Sequence, residues 1–170
     1  LPDEDETYAM HLSTRALLKD LGYTRYEISN YAKPGYTCRH NLNYWDNGAY
    51  LGVGLNAHSA WRRPAWTRFY NTADMRTYLN AIAHGELPAS YTTIPQKEEM
   101  FECVMLGLRK IEGVAARAFS DRFGTALYGV YPEAIKTLIA RNWAVWDTQA
   151  LRLTEEGLDM QNAALLLFMD

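Results

Sequence analysis

Thiol chemistry is nearly absent from this chain, which carries two cysteines, Cys38 and Cys103, among 170 residues. They form neither a C-x-x-C metal knuckle nor a disulfide framework, so two reduced thiols in a cytoplasmic protein are expected. Positive charge is short as well: 17 Lys and Arg face 20 Asp and Glu, a net charge of −3. No overall positive field therefore draws the chain to nucleic acid or to an anionic membrane. No apolar run approaches the roughly 20 residues that span a bilayer. The opening Leu1-Pro2-Asp3-Glu4-Asp5-Glu6 has no basic region and no apolar stretch, and does not read as a signal peptide. What is present is 48% hydrophobic and 22% charged, with 5 Trp and 12 Tyr. That composition is globular, and the length allows one domain or two small ones with a sizeable core.

The chemistry concentrates in two short runs. Cys38-Arg39-His40-Asn41-Leu42-Asn43-Tyr44-Trp45 sets an imidazole, two amides and two large aromatics side by side, enough to contact a flat, partly apolar ligand. Leu51-Gly52-Val53-Gly54-Leu55-Asn56-Ala57-His58-Ser59 reads as a glycine-spaced strand end carrying a second imidazole. Glycine removes the side chain that would block close backbone approach to a ligand. A dinucleotide fingerprint fits poorly, because the third glycine is missing and no helix clearly follows.

Periodicity outlines the rest. Ala9, Leu12, Ala16, Leu17 and Leu21 give a helical stripe over 7–20, closed by Gly22. A short strand over 26–30 follows, then turns at Lys33-Pro34-Gly35 and Asp46-Asn47-Gly48, and a strand over 50–53. A helix over 73–84 presents Met75, Tyr78, Leu79 and Ile82 on one face, and Pro88 to Tyr91 reads as a linker. Thr93 with Gln96 fits a capping box for a helix buried through Phe101, Val104, Met105 and Leu108. Helices over 115–122 and 131–142, a hairpin of 144–146 with 151–153, and a last helix capped by Thr154 complete the order. The fold class is therefore α/β plus α, the second half having a winged-helix-like outline. From Tyr91 to Asp170 there are eight Lys and Arg against eleven Asp and Glu. That balance argues against DNA, whose binding needs a basic face.

The run from Tyr26-Glu27-Ile28-Ser29-Asn30 through Lys33-Pro34-Gly35 to His40-Asn41-Leu42-Asn43-Tyr44-Trp45 closely resembles a segment of the oxygen-independent coproporphyrinogen III oxidase family of radical SAM proteins. The H-N-x-x-Y-W pattern resembles its heme-chaperone branch. Leu51-Gly52-Val53-Gly54 with Ala57-His58-Ser59, then Leu106-Gly107-Leu108-Arg109 and Leu151-Arg152-Leu153-Thr154, are similar to later family segments. The resemblance implies that residues 1–90 finish a partial (β/α) barrel and that 91–170 form a small helical domain with a short hairpin. It also implies, for the longer parent, a [4Fe-4S] cluster and S-adenosylmethionine. The family's C-x-x-x-C-x-x-C loop is absent here, and a four-iron cluster draws three or four thiolates from such a loop. The chain then reads as a downstream piece without catalytic residues of its own, bound to heme or another tetrapyrrole and serving heme-accepting proteins. A cut barrel exposes strand edges and apolar helix faces, so self-association is expected.

His40, Asn41, Tyr44 and Trp45 are the candidate heme-binding residues, with His40 as iron ligand, since neutral imidazole is a normal axial ligand. Extended chain would put Cys38 on the same face as a second ligand. The alternative is structural, with His40 and Asn41 satisfying a turn while Tyr44 and Trp45 plug an interface. Gly52, Gly54, Asn56 and His58 are candidates for bordering the cofactor cleft, or for packing alone. Arg62, Arg63 and Arg68 are candidates for tetrapyrrole carboxylates, because guanidinium matches carboxylate in a bidentate way. A true coproporphyrinogen III dehydrogenase and a ligand-free docking module remain the competing readings.

Overall fold

The computed structural model describes residues 1–62 and 64–169. Helix α1 (Glu4–Asp20) starts three residues earlier than its apolar stripe implies, because Asp3 and Glu6 close a reciprocal capping box. Glu4, Asp5 and Glu6 also favour the positive end of the helix. The expected stripe is not buried: no residue of α1 is, and Leu17 is 59% exposed.

The strand expected over 26–30 is instead the loop of a hairpin between β1 (Thr24–Arg25) and β2 (Tyr31–Ala32). Polar groups curl it. Glu27 Oε1 accepts from the Ser29 amide at 2.8 Å and from Asn30 Nδ2 at 2.6 Å, while Arg25 donates to the Ile28 carbonyl. The loop then docks on a distant turn, with the Ile28 amide donating to the Arg109 carbonyl and that of Ile111 to the Tyr26 carbonyl. Glu27 ends with 0% of its surface exposed.

His40 to Trp45 is not extended either. It forms helix α2 (Arg39–Trp45), preceded by Cys38 without a side-chain cap. The extended run that would set Cys38 and His40 on one face is therefore not formed, since Cys38 precedes the helix and His40 lies in its first turn. The strand expected over 50–53 reduces to one bridge, Tyr50 with Ala60. The arginine and aromatic run becomes two antiparallel strands, β3 (His58–Arg62) and β4 (Trp66–Asn71). Helix α3 (Met75–Ala83) is capped by Asp74, whose carboxylate accepts from the Thr77 amide at 2.8 Å. Its apolar face is also unburied. The expected linker is strand β5 (Ala89–Thr93), which completes a sheet of order β3-β4-β5.

Helix α4 (Gln96–Gly107) begins after Pro95; Thr93 belongs to β5, and Gln96 donates to the Phe123 carbonyl rather than closing a box. Strand β6 (Val114–Ala115), α5 (Ala116–Phe123), α6 (Leu127–Val130) and α7 (Pro132–Ala140) follow. Strands β7 (Ala144–Trp146) and β8 (Ala150–Leu153) make the expected hairpin and join β6 in a sheet of order β6-β8-β7. Thr154 caps α8 (Glu155–Asp159) as expected, accepting from the Gly157 amide at 3.0 Å. The last helix breaks at Met160, and α9 (Gln161–Leu166) continues it. No helix of the described residues is long and apolar enough to cross a membrane.

The main core lies in this second half. Val104, Leu108, Phe119, Leu127, Ile135, Leu138 and Leu151 are all buried there. One tight contact holds its sheet. Gly113 has φ +70°, and a Cβ on it would stand 2.0 Å from the Leu151 carbonyl oxygen. Gly124 has nearly the same φ, +71°, with open space around it. Left-handed backbone alone costs a non-glycine residue about 1–2 kcal/mol. Gly124→Ala is therefore expected to lower the unfolding free energy by about that much, and Gly113→Ala by at least twice as much, because β8 must move. Urea unfolding of both variants checks the ranking.

Candidate functional site

Helical spacing decides which motif side chains meet. His40 and Tyr44, four residues apart on α2, touch edge to face at 4.8 Å between ring centroids. Tyr44 meets Tyr50 in turn at 4.9 Å. Asn41 reaches towards the Tyr26 hydroxyl at 3.5 Å, and Asn43 donates to the Ala49 carbonyl at 3.1 Å. His40 itself is exposed.

Three cations from the second half grip this helix. The Arg109 guanidinium lies 4.3 Å from the centre of the Trp45 ring and 3.6 Å from buried Glu27. Lys110 pairs with Asp46. Arg122 donates to the Asn47 carbonyl at 3.0 Å and to that of Asp46 at 3.3 Å, just where the negative end of α2 favours a cation. Arg122 is held by Glu99, 2.7 Å away and 2% exposed, and it also lies over the Trp66 ring. Glu99 receives Arg62 on the same oxygen, Oε1. A buried carboxylate is tolerated only with such partners.

The expected site residues therefore divide. A cavity of about 360 Å³ beside α2 is lined by Asn41, Tyr44, Trp45 and Arg68 among others, so the fold gathers these four. Arg62 is engaged by Glu99, and Arg63 lies outside the described residues. Arg68 stands 3.0 Å from Glu102, whose carboxyl burial pushes above its usual range against the pull of Arg68. Gly52, Gly54, Asn56 and His58 do not line this cavity. They pack along β3 and β4: the Gly52 amide donates to Ser59 Oγ at 3.0 Å, and Asn71 Nδ2 donates to the Gly54 carbonyl at 2.6 Å. A Cβ on Gly52 would stand 2.3 Å from the His58 carbonyl oxygen. The Asn56 amide donates to the Thr72 carbonyl at 3.0 Å, and the His58 ring stacks on Tyr70.

Glu27, Glu99, Lys110 and Arg122 are the contributors that sequence reasoning missed. Glu99 reads as an ordinary acid in a first helical turn, and nothing local to Arg122 marks it. The residues present do not fit an iron–sulfur cluster. The chain has two cysteines, and the described residues bring no three His, Cys, Asp or Glu together.

Residues 94–160 match the HemN C-terminal domain family. Over nearly the whole chain, the sequence is 34% identical across 171 residues to a heme chaperone HemW of Haemophilus influenzae, covering 99% of this chain and 43% of the relative. It is 32% identical across 169 residues to a heme chaperone HemW of Lactococcus lactis, covering 99% and 44%. Over these spans the chain is similar to proteins named HemN and HemW. The solved structure titled coproporphyrinogen III oxidase (HemN) from Escherichia coli, a radical SAM enzyme, superposes with a TM-score of 0.71 at 14% identity. That match covers 99% of this chain and 42% of the HemN chain, and it carries the fold: mixed helices and sheets in the arrangement of part of HemN. The chain spans under half the length of the relatives it matches.

The two thiols differ sharply in surroundings. Cys38 is exposed, whereas Cys103 is partly buried in α4 and burial pushes its thiol up. Thiolate is the reacting form, so an alkylating reagent at pH 8 is expected to label Cys38 quickly and spare Cys103 until denaturant is added. Mass spectrometry of the timed reaction reads this directly.

Proposed function

We propose that this chain is the downstream part of a HemW-type heme chaperone, in which α2 presents His40 to heme iron while Tyr44 and Trp45 pack beside the macrocycle. The supporting observation is the state of α2. Its imidazole is exposed, its two aromatics line a cavity, and three cations hold it in place. Asn41 belongs to the same set, and Arg68, which lines the same cavity, is the arginine we assign to a tetrapyrrole carboxylate.

In this reading residues 1–90 complete a radical SAM barrel and 91–170 form a winged-helix-like domain that docks on it. The cluster and S-adenosylmethionine belong to the longer protein. Gly52, Gly54, Asn56 and His58 would border the cleft of that completed barrel. The unburied apolar faces of α1 and α3 support the division, since such faces need a cover. Without one, this chain self-associates. The intact protein works in the cytoplasm and hands heme to acceptor proteins, with no nucleic acid involved.

Titration with hemin tests the reading. The chain is expected to shift the Soret band. His40→Ala abolishes that shift, whereas His58→Ala retains it. A spectrum that His40→Ala leaves unchanged removes His40 as the ligand. No shift in the unaltered chain removes heme binding altogether.

A further inference from the structure

Two neighbouring acids on α4 hold arginines in different ways. Glu99 is buried and accepts directed hydrogen bonds from Arg62 and Arg122, both on Oε1. Glu102 meets Arg68 alone among the described residues, at 3.0 Å. Its Oε2 is shut off from solvent and takes no directed hydrogen bond. The Glu102 side chain is 14% exposed, whereas that of Arg68 is 45% exposed. Charge-assisted hydrogen bonds of good geometry are the strong ones, so the Glu99 cluster is a lock. The Glu102 pair is attraction without alignment, and exchanges more easily.

Position ties this second pair to the cavity beside α2. Arg68 on β4 and Leu106 on α4 both line it, and so does Ala60, which stands opposite Arg68 on β3. Glu102 and Leu106 are four residues apart on α4 and share a face. Glu102 is not among the lining residues, so it holds Arg68 at the edge of the cavity. A guanidinium has five N–H donors, and this contact occupies one terminal nitrogen.

We infer that Glu102 is the resident competitor for Arg68, and that a tetrapyrrole carboxylate is captured by exchange with it. This deepens the heme reading above and rests on the assignment of Arg68 made there. The exchange carries a chemical signature. Burial pushes the Glu102 carboxyl above its usual range. Arg68 of β4 pulls it down, Glu99 and Glu98 of its own helix push it up, and Arg122 of α5 pulls it down more weakly. When Arg68 turns to the ligand, the larger downward pull is lost and the carboxyl rises further. Glu102 then takes a proton from water, so capture is coupled to proton uptake. A group whose pKa is higher in the complex strengthens binding as pH falls from its bound pKa towards its free one. Glu102 is thus a positioning residue, which sets affinity through Arg68.

Hemin and its dimethyl ester separate this exchange from iron ligation, because both carry iron and only hemin carries free carboxylates. Calorimetry at pH 7 in buffers of different ionisation enthalpy counts the protons taken up. Any proton that His40 sheds on meeting iron is common to both ligands and cancels in the difference. The unaltered chain is expected to take up more protons with hemin than with the diester, and Glu102→Gln to lose that excess. Glu102→Gln is also expected to tighten hemin about fivefold, the upper end of what an exposed ion pair contributes, and to leave diester affinity unchanged. Arg68→Met is expected to weaken hemin and to lose the excess as well. Circular dichroism confirms that each variant is folded. No excess uptake in the unaltered chain overturns the inference without recourse to any variant. Unchanged hemin affinity in folded Glu102→Gln overturns it too, while weaker hemin binding by Arg68→Met keeps the Arg68 assignment. Equal binding of hemin and diester, unmoved by Arg68→Met, sinks that assignment and this inference together.

Discussion

Arg109 sits between a carboxylate with no exposed surface and the face of Trp45, and the placement of α2 depends on that sandwich. A helix of seven residues without a side-chain cap has little stability of its own, since isolated helices need about 12–15 residues even in favourable sequences. The helix must therefore be held from outside. Glu27 brings Arg109 to one side of it, and Glu99 brings Arg122 to its carboxyl end. Paired buried charges add little net stability. Removing one partner nevertheless costs about 3–5 kcal/mol, because the other is left stranded. Such pairs hold the helix at one position and angle against the second half.

The sequence separation of these contacts has a physical consequence. The loop 26–30 and α2 belong to the first half, while Arg109, Lys110 and Arg122 belong to the second. The second half has a continuous apolar core of its own, whereas α1 and α3 bury nothing. The well-packed half thus acts as the anchor, and the motif helix inherits its rigidity through charge and hydrogen bonds. The cavity beside α2 sits at this junction, with Leu106 of α4 on one wall and Tyr50 and Arg68 on another.

Much of the second half was legible, and for a common reason. Its helices and hairpin carry their signals within a few residues: Pro132 opens α7, Thr154 caps α8, and apolar positions recur at helical spacing. The errors lie where a polar side chain bonds its own loop, where no cap marks a helix, or where a distant strand supplies the partner. Tyr26 to Asn30 has strand composition, but the side chain of Glu27 bonds its own loop and closes the chain into a turn. His40 to Trp45 carries no side-chain cap to announce a helix. Pro88 to Tyr91 has linker composition and becomes an edge strand because β4 supplies a partner. The same limit applies at the site. The motif residues stand out by chemical type, whereas Glu99 and Arg122 gain meaning only from the contact they make across the fold.

The most direct test of this account is amide hydrogen exchange in the Glu27→Gln, Arg109→Met double variant, which removes both charges and strands neither. Asp46, whose amide bonds the Leu42 carbonyl within α2, reports the helix; Leu151, buried in β8, reports the core. The account predicts exchange at Asp46 at least about tenfold faster, with Leu151 unchanged, since local opening and global unfolding are separable in exchange. Unchanged protection at Asp46 would contradict it, and so would equal loss at both positions.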